Sequence, residues 1–481
     1  MGRQPPKEAD VRTVYLLHNS LRLTVDWCDV ARVTIDMLSE VPLLEIFGFY
    51  VDGAPIDKWH MLVHVCRKWR NVVFGSPQRL NLRLTCNQNT PVRETIDAWP
   101  LLPILVSCHG PRHEDCGVDN IIAVLEHNDR IRQLDLTHYS NSQMEEVLAA
   151  MQQPFPALED LWLHSTSETV VVPASFLGGS APRLQTLWLD SIPFPGLPKL
   201  LLSATHLVDV RLWYIPHSGY FSPEAMVTAL SALTSLETLR IEFESPRSRP
   251  DQRRRPPPPT RTLLPALTDF EFEGVSEYLD DLVARIDAPL LNKLDITFFH
   301  QLLLDTPQLT QFISRTPKID AFDGAVVEFS DSSVFVRTTD QVLGLTISCR
   351  QSDWQLSSLA QVFGTNFISA VEHLYIQEGA HAPPSWQDDI ETGQWLELLH
   401  RLTVVTDLHI SPEFTPRIAP TLQELAGGRA TEVLPALQSL FVEETLPSGV
   451  QKTIDKFVAA RELAGHPVAV SRWEDSDSDP D

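Results

Sequence analysis

From Ile131 to Val442 the chain repeats one arrangement of positions, apolar-x-x-apolar-x-apolar. It reads Ile131-Leu134-Leu136, Leu158-Leu161-Leu163, Leu184-Leu187-Leu189, Leu207-Val210-Leu212 and Leu236-Leu239-Ile241, then Leu267-Phe270-Phe272 and Leu291-Leu294-Ile296. Four more copies follow: Val342-Leu345-Ile347, Val371-Leu374-Ile376, Val405-Leu408-Ile410 and Leu437-Leu440-Val442. Successive copies start 23 to 34 residues apart, with one gap of 51 that a degenerate copy at Ile319-Phe322 divides. The alternation at the end of each copy predicts a short strand with one buried face. A single unit cannot bury that face alone, so neighbours must stack into a continuous core.

Helix signals lie between the copies. Ser142-Gln143-Met144-Glu145 has the capping-box form, and Ser222-Pro223 and Thr306-Pro307 put a capping hydroxyl before a proline at the first helical position. Helical stripes are expected at Ala225–Leu233, Glu277–Ile286, Leu309–Ile313, Trp395–Leu402 and Thr453–Leu463. Strand, turn and helix repeated in this way is similar to a leucine-rich-repeat solenoid, without the asparagine ladder of the regular repeats. The fold class expected is therefore α/β, with parallel strands on the concave face and helices on the convex face.

Leu38 to Leu84 follows a different pattern. Pro42 suits a first helical turn, and Leu43, Leu44, Ile46, Phe47 and Tyr50 are too many apolar groups for one narrow stripe. Gly53 and Pro55 break that helix. Trp59, Leu62, Cys66, Trp69 and Val73 then share one face of a second helix, which Gly75 and Pro77 end. About 45 residues is near the lower limit for an independent core. So much apolar surface implies a cover, either the rest of the chain or another protein.

These residues resemble an F-box. Leu38-Ser39-Glu40-Val41-Pro42-Leu43-Leu44-Glu45-Ile46-Phe47 and Val65-Cys66-Arg67-Lys68-Trp69-Arg70 carry the likeness, and Thr90 to Val106 is similar to the segment after the F-box in many fungal F-box-like proteins. Ser39 stands where a proline is usual, and Pro42 where a leucine is usual. The resemblance implies a non-catalytic substrate-recognition adaptor of an SCF-type cullin-RING ubiquitin ligase. Leu38, Leu43, Leu44, Ile46, Phe47, Leu62, Val65, Cys66 and Trp69 match positions that form the small core and the surface binding the Skp adaptor. The solenoid would hold a target protein. The alternative is a repeat scaffold whose F-box-like part is a structural cap with no ligase association.

Strand alternation places one outward residue inside each copy: Asp135, Trp162, Trp188, Arg211, Arg240, Glu271, Asp295, Thr346, Tyr375, His409 and Phe441. Trp162, Trp188, Arg211, Arg240 and Tyr375 are the expected target contacts, because Trp, Tyr and Arg dominate binding hot spots. The same aromatic side chains would also serve to pack beneath neighbouring loops.

Composition narrows the class. The 481 residues carry 38 basic and 63 acidic side chains, a net charge of −25, which argues against nonspecific binding to nucleic acid or anionic membrane. Six cysteines lack framework spacing, and no long apolar run occurs, so a cytoplasmic or nuclear protein is expected. No catalytic motif is present. Cys108, His109, His113 and Cys116 have ligand chemistry, but their spacing matches no common zinc finger, and neither cofactor nor metal is expected. The organisation expected is an N-terminal segment (1–32), a helical module (33–84), a connection (85–130), the solenoid (131–463) with a disordered Arg/Pro loop (245–262), and an acidic tail (464–481).

Overall fold

The computed structural model describes residues 35–51, 56–75, 81–86, 88, 91–98, 101–107, 117–137, 139–165, 170–250, 260–299, 305–319, 322–349, 353–364, 371–379, 392–426, 429–442 and 446–472. The expectations for 1–32, for the Cys108–Cys116 loop and for the central part of the Arg/Pro loop, 251–259, lie outside them. The chain divides into two compact units, Met1–Leu80 and Asn81–Asp481.

The first unit contains α1 (Glu40–Val51), α2 (Ile56–Val65) and α3 (Arg67–Gly75). A single helix was expected across α2 and α3; it is interrupted at Cys66. There the thiol Sγ accepts from the Trp69 backbone N–H at 3.4 Å, and the Cys66 carbonyl accepts from the Arg70 N–H at 3.1 Å. A side chain that caps the next turn in this way lets the helix restart in a new direction.

The second unit is mixed α/β and is built on one large, mostly parallel sheet. Its first strands are β1 (Leu82–Thr85), β2 (Ile104–Ser107), β3 (Ile131–Leu136), β4 (Asp160–His164), β5 (Thr186–Asp190), β6 (Asp209–Ile215) and β7 (Thr238–Phe243). Then come β8 (Thr262–Leu263), β9 (Asp269–Gly274), β10 (Ile286–Asp287), β11 (Lys293–Phe298), β12 (Gly324–Phe329), β13 (Ser333–Thr338) and β14 (Leu343–Ser348). The last are β15 (His373–Glu378), β16 (Asp407–Ile410), β17 (Ser439–Val442) and β18 (Ala469–Arg472). Among the described residues sixteen strands form the main sheet, while β8 and β10 pair separately.

The sheet is longer at both ends than the repeat predicted. Its first strand is at Leu82, so the 85–130 segment supplies β2 with α4 (Val92–Ala98) and α5 (Val118–Leu125) rather than a plain connection. At the other end 469–472, expected in the acidic tail, pairs with β17 and satisfies backbone groups that an edge would leave open. The Arg/Pro loop also has ordered flanks: Ser248 is buried and Thr262 pairs with Ile286.

The 51-residue gap holds two strands, β12 and β13, beyond the β11 of the copy before it. After α10 (Pro307–Ser314) the chain enters β12 three places from β11, returns antiparallel as β13, and comes back as β14 beside β11. Helices between β3 and α10 are α6 (Asn141–Ala150), α7 (Leu197–Ser203), α8 (Pro223–Leu230) and α9 (Ser276–Val283). Two tight polar turns make the meander: Ser330 Oγ accepts from the Ser333 N–H at 3.1 Å, and Asp340 accepts from Thr338 Oγ1 at 2.6 Å. Ile319 lies in a turn rather than a strand. The pairing sets Leu343 against Leu294 and Leu345 against Ile296, so the copy written from Val342 is two positions out, and Thr346 faces Thr297.

The caps differ in detail from the reading. Ser140 with Gln143, two residues earlier than expected, forms the capping box of α6. Ser222 caps α8, accepting from Ala225 N at 3.2 Å. Thr306 does not cap α10. Asp280 of α9 does so instead, accepting from the N–H groups of Gln308 and Leu309 at 2.8 and 3.0 Å. A carboxylate is the stronger acceptor at a helix N-terminus, and it ties one helix to the next. The remaining helices are α11 (Asp353–Gly364), α12 (Thr392–Arg401), α13 (Thr415–Leu425) and α14 (Ser448–Leu463).

Candidate interaction surfaces

In the first unit α1 is apolar on two faces. Leu43, Leu44 and Phe47 point inward, and Phe47 lies 4.7 Å from the Trp69 ring between centroids. Leu62, Val63, Val72 and Val73 complete that interior. Ile46 is 43% exposed, Phe49 81% and Val65 57%, with Val41, Tyr50 and Met61 also outward. Of the nine residues matched to the F-box, four are therefore interior, Ile46 and Val65 are at the surface, and Leu38, Cys66 and Trp69 are half-buried. Lys68 Nζ fixes the start of the unit by donating to the Leu38 carbonyl at 2.7 Å. This outward set of large apolar groups on so small a unit is the candidate interaction surface.

The outward face of the sheet carries two parallel rows. The first runs Asp135, Trp162, Trp188, Arg211, Arg240, Glu271, Asp295 across successive strands, each residue paired in register with the next. The second lies two residues further along: His164 faces Asp190, Asp190 faces Trp213, and Glu242 faces Glu273. Strand alternation points both rows the same way. A template that stops at its last apolar position does not reach the second row.

The four expected contacts on β4 to β7 form one patch, and Tyr375 does not join it. Six strand spacings separate β7 from β15, about 29 Å at ~4.8 Å each. Tyr375 instead begins a separate ladder, its ring stacked at 4.1 Å on His409, which stacks at 3.9 Å on Phe441.

Within the patch the cations are held by the protein's own carboxylates. Arg211 pairs with Asp209 at 2.9 Å and lies 5.9 Å from the Trp188 ring. Arg240 pairs with Glu242 and, at 2.7 Å, with Glu271, and its guanidinium sits 4.5 Å over Trp213. Lys293 pairs with Asp295 at 2.6 Å and His164 with Asp190 at 3.1 Å, a hydrogen bond that raises the imidazole's pKa. Trp188 and Trp213 meet edge to face at 4.6 Å. Both indole N–H groups lack a hydrogen-bond partner among the described residues.

Glu273 has no ion-pair partner among the described residues, and burial, then the nearby Glu242 carboxylate, push its pKa from the ordinary 4.5 up to about 7. Because the folded value exceeds the unfolded one, the folded state gains protons, and this contribution to stability is full below about pH 4.5 and lost as pH rises through 7. Glu273→Gln is expected to match the parent near pH 4 and to exceed it by about 1–2 kcal/mol near pH 8, after allowing for solvent screening. Thermal unfolding of both proteins at the two pH values checks this; an equal difference at both would refute the assignment.

No model of a known family matches the chain, and no curated protein matches it. Among the described residues no helix is long and apolar enough to cross a membrane.

Proposed function

We propose that this protein is a non-catalytic adaptor, an F-box-like helical unit joined to a leucine-rich-repeat-like solenoid. The helical unit binds the Skp adaptor of an SCF-type ubiquitin ligase, and the outward sheet face binds a target protein. Ubiquitin transfer would then be performed by partner subunits, with this chain supplying proximity. The observation that carries the reading is α1, whose second apolar face, Ile46, Phe49 and Tyr50, is turned to the surface, as is Val65 of α2. The F-box resemblance assigns Ile46 and Val65 to the adaptor-binding set.

A second reading, a structural cap without ligase association, is favoured by the interior use of Leu43, Leu44, Phe47 and Leu62. The two readings differ in one experiment. The full chain, co-expressed with the Skp adaptor, is expected to purify as a stoichiometric complex. Ile46→Asp with Val65→Asp should weaken it by at least about 100-fold, since two desolvated charges would enter an apolar interface. Both sites are exposed, so circular dichroism and Tm should stay unchanged, whereas Leu62→Asp would unfold the unit. No complex from a well-folded chain, or an undiminished complex from the double variant, overturns the adaptor reading and leaves the cap.

A further inference from the structure

The patch on β4 to β7, β9 and β11 has more negative than positive charge, and its positive groups are already engaged. Arg240 is shared between Glu242 and Glu271, and Arg211 and Lys293 each hold an aspartate. An acidic partner would have to break these pairs, while a phosphate backbone would meet Glu271 and Glu273 head on. A basic partner meets the opposite situation. Glu242 is only 4% exposed, and Glu273 beside it has no ion-pair partner among the described residues, Arg240 acting on it only at longer range. Next to them Trp188 and Trp213 are half-buried, and Arg240, 4.5 Å over Trp213, already covers one face of that ring and shows how a guanidinium sits on this surface.

We propose that this face recognises a lysine- or arginine-rich segment of the target protein, bound in extended form, with its cations set against the outward Glu271 and Glu273 carboxylates, beside the Arg240 that already lies over Trp213. The spacing fits. An extended chain repeats its side chains on one side about every 6.8 Å, which is the separation of the two rows along a strand. Burial, and after it the Glu242 carboxylate, raise the Glu273 pKa, and a cation there would favour the ionised carboxylate, so the bound segment would be held by charge that the free protein compensates only in part. This inference rests on the part of the adaptor reading that gives the sheet face to a protein target.

The test uses the full chain and three fluorescein-labelled peptides, in which arginine, glutamate or glycine alternates with serine, read by fluorescence anisotropy. The arginine peptide is expected to bind, with affinity falling as salt rises, and the glutamate and glycine peptides not to bind. Glu271→Gln with Glu273→Gln should weaken binding by about tenfold or more. Because the whole chain carries −25, the control is Glu145→Gln with Glu146→Gln on the exposed side of α6, which replaces the same number of carboxylates and should change affinity by less than about twofold. Neither pair removes buried apolar contacts, so both variants should fold. Absence of binding, equal losses from the two variants, or equal binding of the glycine peptide overturns the proposal. A Skp complex without face-specific peptide binding would sink this inference alone. Face-specific binding without a Skp complex would sink the adaptor reading and leave the basic-segment site standing.

Discussion

Arg461→Ala is expected to destabilise the second unit by about 3–5 kcal/mol, seen as a Tm lowered by roughly 5–15 °C. Arg461 lies on α14 with no exposed surface and no carboxylate within ion-pair distance among the described residues. Its charge is solvated by carbonyls instead. Nη1 donates to Ala430 and Leu434 at 3.1 Å and to Val433 at 3.4 Å, Nη2 donates to Leu437 at 3.1 Å, and Nε donates to His466 at 3.3 Å. Burial pushes its pKa down, yet the guanidinium stays protonated because its ordinary value is so high. The loop it holds is strained: Leu434 has φ 47°, a left-handed conformation that leucine rarely adopts. Removing the side chain leaves buried acceptors unpaired and a cavity, and frees a strained loop next to β17. Arg461→Met retains the volume but not the donors, so it should be nearly as harmful, and Arg461→Lys should recover part of the loss. Tm values for Arg461→Met near the parent's would mean that packing, not hydrogen bonding, is what this residue supplies.

Which parts of the fold were legible follows from what fixes them. The parallel strands show in the sequence because each has one buried face, so alternation survives even where Phe270 and Phe272 replace leucines. The meander did not, because its strands alternate like any others and only turn geometry sets their direction. The signal lay in two short polar turns, Ser330 to Ser333 and Thr338 to Val342, whose side chains close them. Strands β1 and β2 differ in this respect. β1 retains only Leu82 and Leu84, with Arg79 at the first position of the template, whereas β2 fits the template as Leu101-Ile104-Val106 and was open to reading.

The candidate site was half legible. The first row follows from alternation and needs no structure. That Asp209 with Arg211 and Arg240 with Glu242 lie two residues apart on one strand was also open to inspection, and that spacing places each pair on one face. The contact from Arg240 to Glu271 depends on register between β7 and β9, which no local pattern encodes. Register is also what separates Tyr375 from the tryptophans, since the inverted order β14, β13, β12 puts extra strands between them.

The patch on β7 and β9 is supported from behind by an aromatic cluster centred on Tyr278 of α9. Tyr278 is fully buried, 4.7 Å from Phe243 edge to face and 5.8 Å from Phe272 in a stacked arrangement, with Tyr220 and Phe221 within 6.4 Å. Phe243 is the inward neighbour of Glu242, and Phe272 lies between Glu271 and Glu273 on β9. Tyr278→Ala should therefore cost about 3–5 kcal/mol through the cavity it leaves, and should weaken any ligand of the outward face as the two strands lose their backing. Tyr278→Phe should act in the opposite direction. The hydroxyl has no hydrogen-bond partner among the described residues, and burial raises its pKa well above the ordinary value, so it stays a neutral, unsatisfied polar group. Deleting that oxygen alone removes a desolvation cost, for an expected gain of up to about 1 kcal/mol. Chemical denaturation of both variants separates the two effects. A Tyr278→Phe protein destabilised by more than about 1 kcal/mol would show that the hydroxyl is satisfied in solution, with an internal water the simplest partner for it.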